Sequence, residues 1–123
     1  MKFFNNYPND DLILKYSVLL LLPFINCENY IIILCVIFSN LIYWSNKNIY
    51  TFSIDSFFAI LFIIYILYKC YIKKINYLII FISLCVLLYY FDISSTKGRN
   101  GERQIYEHLI FRFIILMLFY LSI

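Results

Sequence analysis

Alanine, glycine and proline are almost absent from this sequence. Alanine occurs once, at Ala59, and the two glycines, Gly98 and Gly101, both lie in one polar segment. The apolar stretches therefore contain no GxxxG pair, which is a common motif for close helix packing in membranes. Pro23 is the single proline within an apolar stretch. Helix packing must accordingly rely on Leu, Ile and aromatic side chains, with Ser, Cys and Ala59 allowing closer approach.

Charge is also scarce. Only 14% of the residues are charged, the net charge is +3, and the basic residues form no long run. Because nucleic-acid binding requires several phosphates to be neutralised together, we expect no nucleic-acid partner. Hydrophobic residues make up 64% of the 123, and Ile, Leu and Phe occur in long runs. A soluble domain of this size could not bury so much apolar surface, so the composition predicts an integral membrane protein.

Five apolar segments predict an all-α, multi-pass transmembrane helix bundle that forms one domain over residues 1–123. A hydrocarbon core of about 30 Å requires roughly 20 helical residues, and shorter spans are tolerated where the bilayer thins. The first segment contains Lys15 and Pro23, and its roughly 14 residues would cover only about 21 Å. It either crosses the membrane or is re-entrant, which would leave four spans. A polar loop from Asp92 to Gln104 precedes the last segment. The predicted spans are residues 12–25, 30–44, 53–72, 75–91 and 105–123.

Basic residues are distributed unevenly between the two ends of these spans. With five crossings, more of them lie on the N-terminal face than on the opposite face, which favours a cytoplasmic N-terminus. The N-terminal face carries Lys2, Lys47, Lys97, Arg99 and Arg103, and the opposite face carries Lys69, Lys73 and Lys74.

The four cysteines lack CxxC spacing, so we expect no zinc cluster from them. They are Cys27, Cys35, Cys70 and Cys85. Cys27 and Cys70 would lie at the same membrane face in a five-span topology. If that face is oxidising, a disulfide between them is an alternative to two free thiols.

Five polar residues fall at one face of the predicted bundle. Ser39 and Tyr43 lie near the end of the second span, Asp55 near the start of the third, and His108 and Arg112 in the first turns of the fifth. The members of each pair are four residues apart, so they share one helix face. Ionisable groups within a span usually face a partner or water, which predicts a shared polar cluster. It is either a functional site or a packing contact in which Asp55 is the counterion of Arg112.

These residues resemble a family pattern. The strings Ser39-Asn-Leu-Ile-Tyr43, Asp55 and His108-Leu-Ile-Phe-Arg112 are similar to the SxxxH, Asp and HxxxH motifs of the CREST superfamily of membrane hydrolases and receptors. That superfamily includes alkaline ceramidases and the progestin and adiponectin receptors, and its histidines hold zinc. The resemblance covers residues 30–123.

This chain departs from the family pattern at two metal-binding positions. Tyr43 and Arg112 replace histidines, and an arginine cannot bind a metal because it remains protonated. The resemblance therefore implies a metal-free relative in which an ion pair between Arg112 and Asp55 links the helices. Zinc bound by His108 and Asp55 is expected only under the alternative hypothesis, in which the chain is a CREST-like, metal-dependent lipid amide hydrolase.

The sequence as a whole favours a small multi-pass membrane protein that acts by packing or interaction rather than by catalysis. Its expected partners are membrane lipids, further copies of itself or other membrane proteins, and no cofactor is expected. The hydrolase is one alternative. An oligomeric pore or transport component is the second, although the spans contain no ladder of charged residues.

Overall fold

The described chain is helical, as predicted from its apolar runs. The computed structural model describes residues 8–100 and 102–123, with the side chains of 8–11 and 99 excepted, and this part contains no strand. The all-α prediction is confirmed. Helix α1 covers Pro8–Ser17 and continues into a 3-10 segment, Val18–Phe24; α2 covers Tyr30–Ser45, α3 Ile49–Ile72, α4 Tyr77–Arg99 and α5 Ile105–Ser122.

Three of these helices are long and apolar enough to cross a bilayer. They are α3 with 24 residues, the Tyr77–Gly98 part of α4 with 22, and α5 with 18. Large apolar side chains such as Phe57, Phe81 and Phe113 are exposed on their outer faces. Soluble proteins rarely expose apolar surface on this scale. The helices and their surfaces are those of an integral membrane protein.

The first apolar segment changes its helical type midway. Seven residues, Val18–Phe24, form a 3-10 helix that contains Pro23 and ends at the extended Ile25. A proline lacks the backbone N–H, so it ends or distorts regular helix. Val18 and Leu21 nevertheless bury their side chains in the main core.

The core lies where α2, α3 and α5 meet. Ile33, Phe62, Ile66 and Phe119 are all at most 2% exposed, and the rings of Phe62 and Phe119 contact edge to face with centroids 5.1 Å apart. Helix α2 packs on α3, α4 packs on α5, and α1 packs on both α2 and α5. Because α4 packs mainly against α5, a groove remains between α3 and α4.

The loop between α4 and α5 is shorter than predicted. We expected a loop from Asp92 to Gln104, but α4 continues to Arg99 and only the residues after it connect to α5. Ion pairing explains the difference, because Lys97 Nζ on α4 lies 2.5 Å from Glu107 Oε1 on α5. The prediction of a loop is therefore wrong for residues 92–99, which belong to α4.

The start of α3 also differs from the prediction. It begins at Ile49 rather than at residue 53, because Asn48 and Thr51 form a capping box. Such reciprocal side-chain contacts satisfy the first backbone N–H groups of a helix. The added turn places Asp55 about 9 Å along α3 rather than at its first residues.

Candidate functional site

Arg112 on α5 is the centre of a hydrogen-bond network that joins three helical segments. Its guanidinium donates to the carbonyl of Leu14 on α1, to Ser17 Oγ at 2.5 Å and to Asn40 Oδ1 on α2 at 3.2 Å. Its Cζ also lies 5.9 Å from the centroid of Trp44. Hydrogen bonds from a charged donor are stronger than neutral ones. One side chain thus fastens the first half of α5 to both α1 and α2.

Asp55 on α3 joins this network through Asn40 rather than directly. Asn40 Nδ2 donates to Asp55 Oδ1 at 3.5 Å, while Asn40 Oδ1 accepts from Arg112. The opposite charges of Asp55 and Arg112 still attract each other across this amide. The direct ion pair expected from the sequence is therefore replaced by a bridged one.

Ser39 borders the network, since its side chain also interacts with Asp55, and Tyr43 packs beside it. The Ser39 hydroxyl donates to the Val36 carbonyl of its own helix at 3.1 Å. Tyr43 packs in a small buried cluster, where its ring lies 5.2 Å from that of Trp44 and 5.8 Å from that of Phe52. Ser39 and Tyr43 thus flank Asn40, and both Ser39 and Asn40 interact with Asp55.

His108 belongs to a second polar group between α4 and α5. Its Nδ1 lies 3.0 Å from Ser94 Oγ, and the same hydroxyl donates to Gln104 Oε1 at 3.3 Å. The His108 ring packs edge to face on Trp44 with centroids 5.6 Å apart. Trp44 therefore contacts both Arg112 and His108 and separates the two groups.

Sequence reasoning missed two members of this site. Asn40 lies between Ser39 and Tyr43 in an apolar span, and an amide in such a span is a signal that could have been used. Trp44 stands at the end of the predicted span 30–44, where an aromatic side chain is ordinarily expected at the headgroup level. Only the packing of α2 against α5 reveals that its ring is buried between Arg112 and His108.

The groove between α3 and α4 opens beside these two groups. It encloses about 650 Å³, with α5 as its floor and mostly apolar walls. Its polar residues gather at one end, and they include Asn40, Trp44, Asp55, Asp92, His108 and Arg112. Trp44 is 6% exposed, and its buried Nε1 has no acceptor among the described residues.

Within residues 8–100 and 102–123, no three His, Cys, Asp or Glu side chains are grouped so that they could hold an ion. A catalytic zinc normally has three protein ligands and an open position. The possible donors at this end are His108 and the carboxylates of Asp55 and Asp92, and Arg112 lies beside them.

The cysteines are free thiols. Cys27 and Cys85 are exposed, Cys35 is partly buried and Cys70 is buried, with Cys70 Sγ 3.8 Å from the Leu118 carbonyl. Cys70 therefore packs in the core between α3 and α5 rather than pairing with Cys27.

No protein-family model, curated protein or solved structure matches this chain.

Proposed function

We propose that this chain is a metal-free interaction protein that works inside the bilayer, with the groove between α3 and α4 as its interaction surface. The observation that carries the proposal is the placement of Arg112. Its guanidinium fills the polar end with a fixed positive charge bonded to Leu14, Ser17 and Asn40. A cation at that position repels a metal ion. Such an arrangement suits binding and cross-linking, and it agrees with a metal-free relative of the CREST proteins.

The packing of α4 supports an interaction role for the groove. Helices in lipid gain little from apolar burial alone, so they associate through shape and polar contacts. Helix α4 has such contacts with α5, through Ser94 with His108 and Lys97 with Glu107, and it leaves the side toward α3 open. A groove of about 650 Å³ falls in the size range of ligand sites, which is about 300–1,000 Å³.

Five membrane crossings form part of this proposal. The apolar part of this segment is Leu12–Phe24, and its six α-helical residues rise about 9 Å. The seven residues of the 3-10 segment add about 14 Å, because that helix rises further per residue. Together they cover about 23 Å, which a bilayer thinned from its usual hydrocarbon core of about 30 Å accommodates. The tighter helix thus supports a crossing that residue count alone would not.

A cytoplasmic N-terminus completes the proposed topology. Lys47 and Lys97 lie at one end of the bundle, and the exposed Lys73 and Lys74 lie at the other, after α3. Lys2, which adds to the N-terminal face, lies outside the described residues. Labelling of single cysteines at residues 47 and 74 with a membrane-impermeant reagent in intact cells tests this orientation. Reaction at residue 74 alone is expected, and reaction at residue 47 alone would reverse the topology.

The interaction role can be tested with a photoreactive amino acid placed on α3. Ala59 lines the groove, whereas Ile64 is 57% exposed on the outer surface of the same helix and serves as the matched control. Irradiation in native membranes should give discrete adducts at residue 59 and diffuse lipid labelling at residue 64. Equal, diffuse labelling at both positions would contradict a specific interaction surface.

The metal-free part of the proposal has its own test. Elemental mass spectrometry of detergent-purified protein, wild type beside His108→Ala, should give no stoichiometric zinc in either sample after zinc loading. Near-stoichiometric zinc that disappears in His108→Ala would instead support the hydrolase alternative.

A further inference from the structure

We propose that the groove between α3 and α4 holds one zwitterionic phospholipid, with its phosphate at Trp44 and Arg112 and an acyl chain along the apolar walls. This inference rests on the proposed function, because it names the occupant of the same groove.

The unpaired indole N–H of Trp44 calls for an acceptor from outside the described chain. The residue lines the groove and is 6% exposed, and its buried Nε1 has no partner among the described residues. A buried donor without an acceptor costs about 1–3 kcal/mol. Because Nε1 is itself covered by neighbouring side chains, a phosphate or ester oxygen of a lipid in the groove reaches it only when those side chains move aside, and that contact would remove the cost.

Arg112 lies beside this donor and adds the positive charge that a phosphate requires. Its contacts with Leu14, Ser17 and Asn40 use both N–H bonds of one terminal nitrogen and one of the other. A guanidinium carries five N–H donors in a planar fork, so the contacts to protein acceptors leave donors for a ligand. Guanidinium groups bind phosphate oxygens especially well, because their geometries match.

The acidic residues at the same end determine which phospholipid fits. Asp55 and Asp92 line the groove together with Arg112, whereas Lys97 and Glu107 pair with each other. A lipid with a net negative headgroup would meet the repulsion of two carboxylates. A zwitterionic headgroup places its phosphate toward Arg112 and its ammonium toward Asp55 and Asp92, and so matches both signs of charge.

The position of the polar end agrees with a lipid that enters from the side. Arg112 lies about 10 Å along α5 and Asp55 about 9 Å along α3, and both helices begin at the same face of the bundle. Helix α5, with 18 residues, is nearly as long as the hydrocarbon core of about 30 Å is thick, so the polar end lies inside the core and a phosphate bound there would be drawn below the headgroup level. Beyond the polar end the walls are apolar, and they include Ala59, Ile63, Leu87 and Ile115.

Native mass spectrometry can identify the occupant. The whole chain would be placed in nanodiscs with equal amounts of phosphatidylethanolamine, phosphatidylglycerol and diacylglycerol of the same acyl composition. Release into the gas phase should retain one phosphatidylethanolamine per chain, at least about fivefold over either competitor. Equal retention of the three lipids, or preference for the anionic or the uncharged one, would overturn the inference.

Two variants connect that lipid to the groove. Trp44→Phe keeps a ring and removes the N–H, and it should reduce phosphatidylethanolamine retention about tenfold, the ratio that corresponds to one hydrogen bond of about 1.4 kcal/mol. Ala59→Phe fills the groove from α3 and should abolish retention by blocking the acyl chain. The matched controls are Tyr106→Phe and Ile64→Phe, whose positions are 71% and 57% exposed outside the groove, and both should retain the lipid.

The outcomes separate the inference from the proposed function. If Trp44→Phe loses its helical circular dichroism, the variant has unfolded and its lipid retention is not interpretable. Lipid retention by Ala59→Phe then tests the site, since Ala59 lies on the opposite wall of the groove. Lipid retention that neither variant changes would overturn the phospholipid site. A discrete protein adduct from residue 59, including a second copy of this chain, would keep the interaction surface and reject the lipid, whereas diffuse labelling there would reject both.

Discussion

Ser94 Oγ on α4 lies 3.0 Å from His108 Nδ1 on α5. The chain has a single histidine, and this contact makes it a link between two helices. The same hydroxyl also donates to Gln104 Oε1. Gly98 packs against the Gln104 side-chain amide, because a Cβ atom at position 98 would lie only 2.6 Å from Gln104 Oε1. The end of α4 is therefore held to α5 by a compact polar contact.

Removing either partner of this contact should loosen the end of α4. We expect Ser94→Ala and His108→Phe each to speed amide exchange of residues 92–99 about fivefold, which corresponds to a lost hydrogen bond of about 1 kcal/mol. The double variant should exchange little faster than either single one, because both remove the same bond. Hydrogen exchange with mass spectrometry measures these rates, and additive effects would contradict the link.

The ion pair one turn further along α4 provides a separate prediction. Lys97→Met should also raise exchange of residues 92–99, because Glu107 would then lose its contact with α4. Lys73→Met is the matched control, since that lysine is exposed after α3 and should leave the same amides unchanged. Unaltered exchange in Lys97→Met would contradict the role assigned to this pair in extending α4.

Substitution of Arg112 should destabilise the bundle as a whole. Arg112→Met leaves the acceptors of Leu14 and Asn40 without their donor, and we expect a loss of about 2–4 kcal/mol of unfolding free energy. Arg112→Lys should recover part of it, because an ammonium lacks the fork that reaches two helices at once. Thermal unfolding in detergent measures the loss. Lys73→Met, at an exposed position after α3, is the control and should unfold as the wild type does.

Asn40 should couple Arg112 to Asp55. Asn40→Leu removes both bonds of the bridging amide, and a loss of about 1–3 kcal/mol is expected. The same change at the exposed Asn46 should have little effect. In a double-mutant cycle with Asp55→Asn, coupling between residues 40 and 55 is expected. If the losses of unfolding free energy in the two single variants simply added in the double variant, Asn40 would stabilise the bundle independently of Asp55.

Part of this structure could be predicted from the sequence because apolar runs directly indicate helices in lipid. The four-residue spacing also placed His108 and Arg112 on one face of α5. Asn40 and Trp44 could not be assigned in this way, since their roles depend on how α2 packs against α5. The extent of α4 was missed for a similar reason, because its last turns are stabilised by Glu107 and His108 from another helix.

The cysteines offer a check on the packing of α3. Cys70 is fully buried and Cys27 is exposed before α2. In single-cysteine variants, a charged maleimide should label Cys27 readily and leave Cys70 unlabelled until the protein is denatured. A form of the wild type that migrates faster on non-reducing gels and disappears on reduction would instead indicate a Cys27–Cys70 disulfide.

The one-sided packing of α4 has a consequence for how the chain is made. Helix α4 is synthesised before α5, the helix on which it mainly packs, and it is joined to α3 by a short turn in which Lys74 adopts a left-handed backbone. A nascent chain that ends after α4 would therefore hold a span without its principal neighbour. Helices α4 and α5 should mature together as a hairpin, so α5 must be synthesised before the groove acquires its floor.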